Sequence, residues 1–390
     1  MKRIGLVGFE FDSPNKGCEA LSYSFIQLIE DNLNDEKIEI LLLSGASLGV
    51  LPKRYPNIMF NNVPYGMRDI KLRFIRAIRS CDVIFDITMG DSFSDIYSKD
   101  YCLSLIRIKK RMELFGKKYV LLPQTYGPFN SDKVKKQAIA VINKADIVIS
   151  RDQTSIDYLR EIGVKRKLSK EIDLAFLLPY DQSKFSFDSR KVRVGLNVSG
   201  LLWSGGFLSD NQFGLKLNYQ QYIEGIMKFF SKSNEYELHL IPHVIDLKEK
   251  PHDDDYNVLK KLHSVFPNTI LAPAFDNPID AKSYIANMDC FIGSRMHSTV
   301  AALSSGVAVI PVSYSRKFEG LFGSLDYDYL IHAKKEDTDE SINKTILWVE
   351  NHIELKNKVE IVKKDIGEKC NHLKNTLIRL LREVKNGYIE

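Results

Sequence analysis

The sequence predicts an α/β protein built from two successive doubly wound units. Three observations carry that expectation. Short, nearly all-apolar runs of strand length alternate with amphipathic stretches of helix length, the pattern of parallel sheets covered on both faces. The alternation pauses once, in the polar, turn-like stretch 179–191 (PYDQSKFSFDSRK), which reads as the linker, and then starts again. The polar clusters fall at the carboxyl ends of the strand-like runs, which is where open α/β sheets bind ligands.

The elements follow from the periodicity. Ile4–Phe9 reads as a strand and Ala20–Leu33 as a helix with apolar residues at helical spacing. Ile38–Leu43, Val83–Ile87, Tyr119–Leu122 and Ile147–Ser150 read as further strands, with helices at Asp132–Lys144 and Gln153–Glu161. The second series has strands at Val192–Val198, Glu237–Ile241, Thr269–Leu271, Cys290–Ile292 and Val307–Val312. Its helices lie near Tyr219–Ser231, Asp255–Val265 and Met296–Ser305. The last 50 residues show no strand signal and read as helices at Glu340–His352 and Leu355–Val384, with a solvated Lys/Glu face. The expected division is 1–185 and 186–335, both Rossmann-like, then C-terminal helices at 336–390. A cleft between the first two is the default ligand site.

Composition narrows the function classes. A chain of 390 residues suits two or three domains at roughly 150 residues each. With 44% hydrophobic and 27% charged residues it can build a sizeable core. A net charge of +5, spread along the chain, is too small to argue for nucleic acid and suits anionic small substrates or an anionic membrane surface. The apolar run in MKRIGLVGFEFD ends at Glu10, short of the roughly 7–15 residues of a signal peptide core. No stretch approaches the roughly 20 apolar residues of a membrane helix, so a cytoplasmic protein is expected. The five cysteines form no CxxC pair; Cys81, Cys102 and Cys290 read as buried apolar positions, and free thiols are expected. The eight histidines lack HxH or HExxH spacing, so no metal is expected.

The most informative stretch is Asp289-Cys-Phe-Ile-Gly-Ser-Arg-Met-His-Ser-Thr-Val-Ala-Ala-Leu-Ser-Ser-Gly306. A strand ends at Gly293, and a helix starts near Met296 and stops at Gly306, a natural C′ residue. Arg295 and His297 thus stand where helix N–H groups and the dipole favour an anion. Arg295 adds a fork for phosphate or carboxylate, and His297 a proton donor and acceptor near neutrality. The alternative reading makes Arg295 a surface ion pair and His297 a helix cap. Ser315, Arg316 and Lys317 follow the next strand and can add donors, though Lys317 reads equally as a solvated lysine.

Near the amino terminus, Gly8-Phe-Glu-Phe-Asp-Ser-Pro-Asn-Lys-Gly-Cys-Glu-Ala20 is a strand-loop-helix junction that is neither GxGxxG nor a P-loop. Asn15 and Gly17 suit a tight turn there, and Glu19 suits a helix start. Asp86, Asp91 and Asp95 follow another strand; they can chelate a metal or grip sugar hydroxyls, or two of them can cap helices. Leu122-Pro-Gln-Thr-Tyr-Gly-Pro128 and Ser150-Arg-Asp-Gln-Thr-Ser155 close two more strands.

The ordered set of these segments resembles the polysaccharide pyruvyl transferase family. The matching pieces are the Asn15–Leu21 loop, Gly90-Asp-Ser-Phe-Ser-Asp95, Pro123-Gln-Thr-Tyr-Gly-Pro-Phe129, Ser150-Arg-Asp152, Gly195-Leu-Asn-Val-Ser199, Gly293-Ser-Arg-Met-His297 and Tyr314-Ser-Arg-Lys-Phe-Glu319. The resemblance implies a glycosyltransferase-B-like fold, two Rossmann-like domains facing a cleft. It implies phosphoenolpyruvate as donor and co-substrate, a sugar of a cell-surface glycan as acceptor, lipid-linked at the inner membrane face, and no other cofactor. It places the Arg295-Met296-His297 motif at the donor site, with His297 as general acid/base. One departure stands out: many members carry an arginine where this chain reads Asn197-Val-Ser-Gly200, so Ser199 with nearby N–H groups, or Arg151, His243 or Arg316, is expected to replace it. The expected catalytic residues are His297, Asp91 and Glu19. The expected donor contacts are Arg295, Met296, Ser298, Ser199, Asn197, Lys317, Ser315, Arg151 and His243. The expected acceptor contacts are Asn15, Gly17, Asp95 and Gln124. A nucleotide-sugar glycosyltransferase of the same fold and a catalytically silent glycan-binding protein are the rival readings.

Overall fold

The computed structural model describes residues 1–33, 36–43, 47–64, 68–187, 190–206, 209–246 and 253–383, with backbone only at 68–71 and 316. The chain forms two compact units that are not contiguous in sequence. The first comprises 1–13, 21–174 and 369–390; the second comprises 14–20 and 175–368.

The first unit holds strands β1 (Lys2–Val7), β2 (Ile38–Leu42), β3 (Ile58–Asn62), β4 (Val83–Asp86), β5 (Tyr119–Gln124), β6 (Ile147–Ser150) and β7 (Leu168–Lys170). Between them lie α1 (Lys16–Leu33), α2 (Leu51–Arg54), α3 (Arg68–Ser80), α4 (Lys99–Leu114), α5 (Asp132–Lys144) and α6 (Gln153–Glu161). The strands pair in parallel in the order β3-β2-β1-β4-β5-β6-β7. Strands β2, β4 and β5 are buried along their whole length, as a sheet covered on both faces requires.

The second unit repeats the plan with β8 (Val192–Asn197), β9 (Tyr236–Leu240), β10 (Ile270–Leu271), β11 (Cys290–Gly293), β12 (Ala308–Ser313) and β13 (Ile331–His332), in the parallel order β10-β9-β8-β11-β12-β13. Its helices are α7 (Gly200–Trp203), α8 (Tyr219–Phe230), α9 (Asp255–Val265), α10 (Pro278–Ile285), α11 (Met296–Ser305), α12 (Arg316–Gly323), α13 (Thr338–Glu350) and α14 (His352–Glu383). In both sheets the order reverses beside the first strand, between β1 and β4 and between β8 and β11. Those switch points are where doubly wound sheets open for ligands.

The structure adds to one expectation and changes two. The described part of the linker, 179–187, is packed in place: Phe185 and Phe187 each pack edge-on against Tyr284 with ring centroids 5.1 Å apart, and Lys184 pairs with Asp280 at 2.6 Å. Two aromatic anchors outweigh the polar composition around them. The C-terminal helices are not a third module. In the second unit α13 packs on α8, where Tyr222 and Thr345 share a hydrogen bond of 2.8 Å. The end of α14 belongs with the first unit, where His372 meets Glu171 at 3.0 Å. Finally, α1 starts a turn before Ala20, at Lys16, and its first turn belongs with the second unit although the strands on either side of α1 in sequence belong with the first.

Candidate functional site

At the switch point of the second sheet, β8 ends on Asn197 and β11 ends on Gly293. Asn197 is fully buried and staples the two strand ends to their surroundings. Its side-chain oxygen accepts from the Arg295 amide at 2.9 Å and from the Ser298 hydroxyl at 3.2 Å. Its side-chain nitrogen donates to the Ile241 carbonyl at 3.0 Å and to Asp255 at 3.3 Å. Arg295 stands at the N-cap of α11, and Gly306 closes that helix in the left-handed region at φ 85°.

Asp255, at the start of α9 and with no exposed surface, is the hub of the site. Its carboxylate accepts from the backbone amides of Gly200 (2.8 Å), Val244 (2.9 Å) and His243 (3.2 Å). It also accepts from Arg295, at 2.7 Å from Nη2 and 3.1 Å from Nε. Asp253 takes Nη2 of the same guanidinium at 2.5 Å. Burial disfavours the charge on Arg295, but Asp255 and Asp253 outweigh it and hold its pKa above that of an ordinary arginine.

The segment 14–20 is stitched onto the loop after β9. Asn15 and Val244 form an antiparallel bridge, Lys16 donates its amide to the His243 carbonyl at 3.0 Å, and Ile245 donates to the Pro14 carbonyl at 2.9 Å. The Asn15 side chain accepts from the Gly17 amide at 2.9 Å, turning the chain into α1. This docking presses Gly17 against the imidazole of His297: a Cβ at position 17 would sit 2.3 Å from Nδ1. Lys16 and Glu19 form a buried ion pair of 2.7 Å. His243 is 3% exposed, and neither ring nitrogen has a hydrogen-bond partner among the described residues. Burial, then the charges of His297, Arg295 and Lys16, push its pKa well below the ordinary range, so it stays neutral. At the first turn of α12, burial pushes the Lys317 amine down to about 8, opposed by Cys18, the neighbour of Gly17 in sequence.

The sequence-expected residues therefore divide. His297, His243, Gly17, Asn15, Glu19, Arg295, Met296 and Lys317 belong to this one neighbourhood. Arg295 is not an open fork for a phosphate: Asp253 and Asp255 occupy Nε and Nη2, and only Nη1 carries no hydrogen bond among the described residues. Nor is it a surface pair, being 9% exposed. Asn197 is taken up by the staple just described. The Ser298 hydroxyl donates to the Arg295 carbonyl at 2.7 Å. Ser199, also fully buried, caps α7 by accepting from the Leu202 amide at 3.3 Å and donates its own amide to Tyr219. Ser315 occupies the N-cap of α12 without a side-chain cap hydrogen bond.

The remaining expected residues lie in the first unit. Asp95 accepts from the amides of Asn130 and Ser131, both at 2.8 Å, and so fastens the start of α5 rather than presenting a free carboxylate. Arg151 pairs with buried Asp173 at 2.6 Å and donates to Thr125 at 3.0 Å. Asp86 pairs with fully buried Lys109 at 2.6 Å and accepts from the Thr88 hydroxyl, so it is not available as a metal ligand. Asp91 accepts from the Tyr97 hydroxyl at 3.0 Å. Gln124 is fully buried; its amide nitrogen reaches the Asp86 carbonyl at 3.2 Å, and its oxygen has no partner among the described residues. Beside them Thr88, Met89 and Gly90 stand in succession at φ 43°, 51° and 84°. A β-branched residue there is strained, and such strain collects at functional sites. Among the described residues no three His, Cys, Asp or Glu side chains converge so as to hold a metal ion.

Sequence reasoning missed Asp253, Asp255, Lys16 and Lys109. Asp253-Asp254-Asp255 was visible as an acidic run, but nothing in the spacing tied it to Arg295, 40 residues away.

A family model described as polysaccharide pyruvyl transferase matches residues 15–316, well over half of the chain. The chain belongs to the polysaccharide pyruvyl transferase family. The match starts at the docked Asn15 and ends at the first residue of α12, so it contains the Arg295–His297 motif and the His243 loop. No curated protein matches significantly. Among solved structures, a glycosyltransferase from Rickettsia africae is similar at a TM-score of 0.60 and 11% identity, covering 98% of each chain. Sucrose-phosphate synthase from Thermosynechococcus elongatus is similar at 0.59 and 12% identity, covering 100% of both chains. UDP-GlcNAc 2-epimerase from Neisseria meningitidis, bound to UDP-GlcNAc, is similar at 0.57 and 10% identity, covering 95% of this chain and 100% of its own. These likenesses show the fold, which is that of the glycosyltransferase-B class with two Rossmann-like domains. Among the described residues no helix is long and apolar enough to cross a membrane.

Proposed function

We propose that this pyruvyl transferase family member takes its pyruvyl group from phosphoenolpyruvate. It delivers the group to two hydroxyls of one sugar in a cell-surface polysaccharide precursor, closing a pyruvate ketal. The precursor is carried on a lipid at the cytoplasmic face of the membrane. The observation that supports this most is the meeting of His297 with Gly17 and His243 at the carboxyl end of the second sheet, beside the start of α11.

The chemistry demands proton movement more than binding area. The methylene carbon gains a proton, one hydroxyl oxygen bonds to the neighbouring carbon, and phosphate leaves. The second hydroxyl then closes the ring, and its proton and that of the first balance the methyl group and the departing phosphate. His297 is the group that relays protons at the donor carbon, worth about 10²–10⁴-fold in rate. His243 is held neutral beside it and offers a lone pair or an N–H to the donor. Lys317, at about pKa 8, supplies a cation at the start of α12, and the Met296 amide supplies a helix N-terminal donor. Arg295 acts by positioning: through Asp255 it ties α11 to the His243 loop. Glu19 and Asp91 are the carboxylates proposed to take a proton from the acceptor, Glu19 in its pair with Lys16. No metal or redox cofactor takes part in this scheme.

A thermal-shift series decides the donor. Phosphoenolpyruvate at 100 times its dissociation constant should stabilise the protein by about 2.7 kcal/mol. His297→Asn should keep that shift while losing phosphate release in the presence of lipid-extracted acceptor. Stabilisation by a uridine or guanosine diphosphate sugar alone would overturn the donor assignment in favour of glycosyl transfer. Phosphoenolpyruvate binding without any phosphate release would favour a silent glycan-binding protein.

A further inference from the structure

The first unit carries a surface that pyruvyl transfer does not use. α3 is strongly two-faced: Phe74, Ala77 and Ile78 are buried in the first core, while Arg73, Arg76 and Arg79 are exposed. The arginines that pair with carboxylates among the described residues are Arg3, Arg151, Arg193, Arg295 and Arg379, so none of these three has a carboxylate partner among the described residues. Leu72 stands among them, 58% exposed. Leu72, Arg76 and Arg79 occupy positions i, i+4 and i+7, which is one face of a helix. The Arg79 guanidinium lies over the Phe115 ring, 5.7 Å from its centroid. This carries the surface on to the end of α4, where Leu114 is 76% exposed.

We propose that α3 and the end of α4 form a docking surface for an anionic lipid bilayer. The arginines meet headgroup phosphates, and Leu72 and Leu114 reach the acyl boundary. Charge alone would suit a nucleic acid equally, but exposed leucines beside exposed arginines have no counterpart on a phosphate backbone. A bilayer offers both anionic headgroups and hydrocarbon beneath them. Three cations near such a surface strengthen binding about fivefold each, or about 150-fold together, and the gain falls as salt screens it. The surface fits an acceptor carried on a lipid, but it does not rest on the pyruvyl-transfer reading, which would survive its failure.

The test is cosedimentation of the full chain with vesicles of phosphatidylcholine, alone or with about a third phosphatidylglycerol, at low and high salt. The wild-type chain should bind the anionic vesicles at low salt and leave them at high salt. The triple variant Arg73→Gln, Arg76→Gln, Arg79→Gln should bind them about 150-fold more weakly. Leu72→Ser, with every charge kept, should bind several-fold more weakly. The melting temperature of each variant should match the wild type, since all four side chains are exposed. Equal binding to neutral vesicles, undiminished binding by the triple variant, or preference for a DNA duplex over anionic vesicles would each overturn the proposal. If the triple variant melts early, the salt dependence and Leu72→Ser carry the decision alone.

Discussion

Replacing Arg295 with methionine should damage the fold of the second unit far more than it damages donor binding. The guanidinium has Asp255 at 2.7 Å and Asp253 at 2.5 Å, and Asp255 has no exposed surface. Removing the cation leaves that carboxylate charged and buried, held only by backbone amides and the Asn197 side chain. Breaking a buried pair in this way costs about 3–5 kcal/mol. Asp255→Asn should cost about as much: it leaves Arg295 with Asp253 alone and turns an amide NH₂ toward groups that are all donors. The double variant removes both charges together, so it should lose about 2–3 kcal/mol less than the sum of the singles. Both tryptophans, Trp203 and Trp348, lie in the second unit, so urea unfolding followed by tryptophan fluorescence reads this unit directly. Additivity within about 0.5 kcal/mol would refute the argument. So would an Arg295→Met protein of normal stability with a raised Michaelis constant for phosphoenolpyruvate, which would restore Arg295 as a donor ligand.

Gly17→Ala should lower turnover at least tenfold, because the new Cβ would lie 2.3 Å from Nδ1 and 2.8 Å from Cβ of His297 and must displace that side chain; unchanged steady-state kinetics would remove His297 from the reaction. For Lys317, held down at about 8 by burial, the unfolded chain binds the extra proton between that value and the ordinary lysine range, so stability should rise with pH across that window. Donor affinity should fall over the same window as the cation is lost, and Lys317→Met should abolish the alkaline limb of a binding profile; a profile shared by both proteins would count against Lys317 as a donor contact. His243, with its pKa lowered by burial and by neighbouring charges, is neutral when folded but protonates on unfolding below about pH 6.5. Its contribution is complete above that pH and lost as pH falls, so His243→Gln should unfold less steeply in acid; equal acid melts would argue that the imidazole is not buried.

Much of the scaffold was legible. Strands such as Ile147–Ser150 and helices such as Asp132–Lys144, Gln153–Glu161 and Met296–Ser305 stand where periodicity and capping put them, because short apolar runs and amphipathic stretches record burial locally. Edge elements escaped: β3 is mostly exposed, and β7 and β13 are three and two residues long, too short to leave a pattern. The packing of the linker left no signal in the sequence, because two aromatic anchors, Phe185 and Phe187, stand among polar neighbours.

The sequence by itself determined the repeating strand–helix order, and with it the two doubly wound sheets. It also determined the placement of Arg295 and His297 at a strand end and a helix start, and the family. These depend on neighbours within a turn or a strand, or on the order of motifs. Only the tertiary structure decided what those residues face. It is packing that brings Asp255 onto Arg295, Gly17 onto His297 and Lys109 onto Asp86, and that seats residues 14–20 in the second unit. A buried charge must find its partner wherever the fold puts one, and sequence separation carries no trace of that choice.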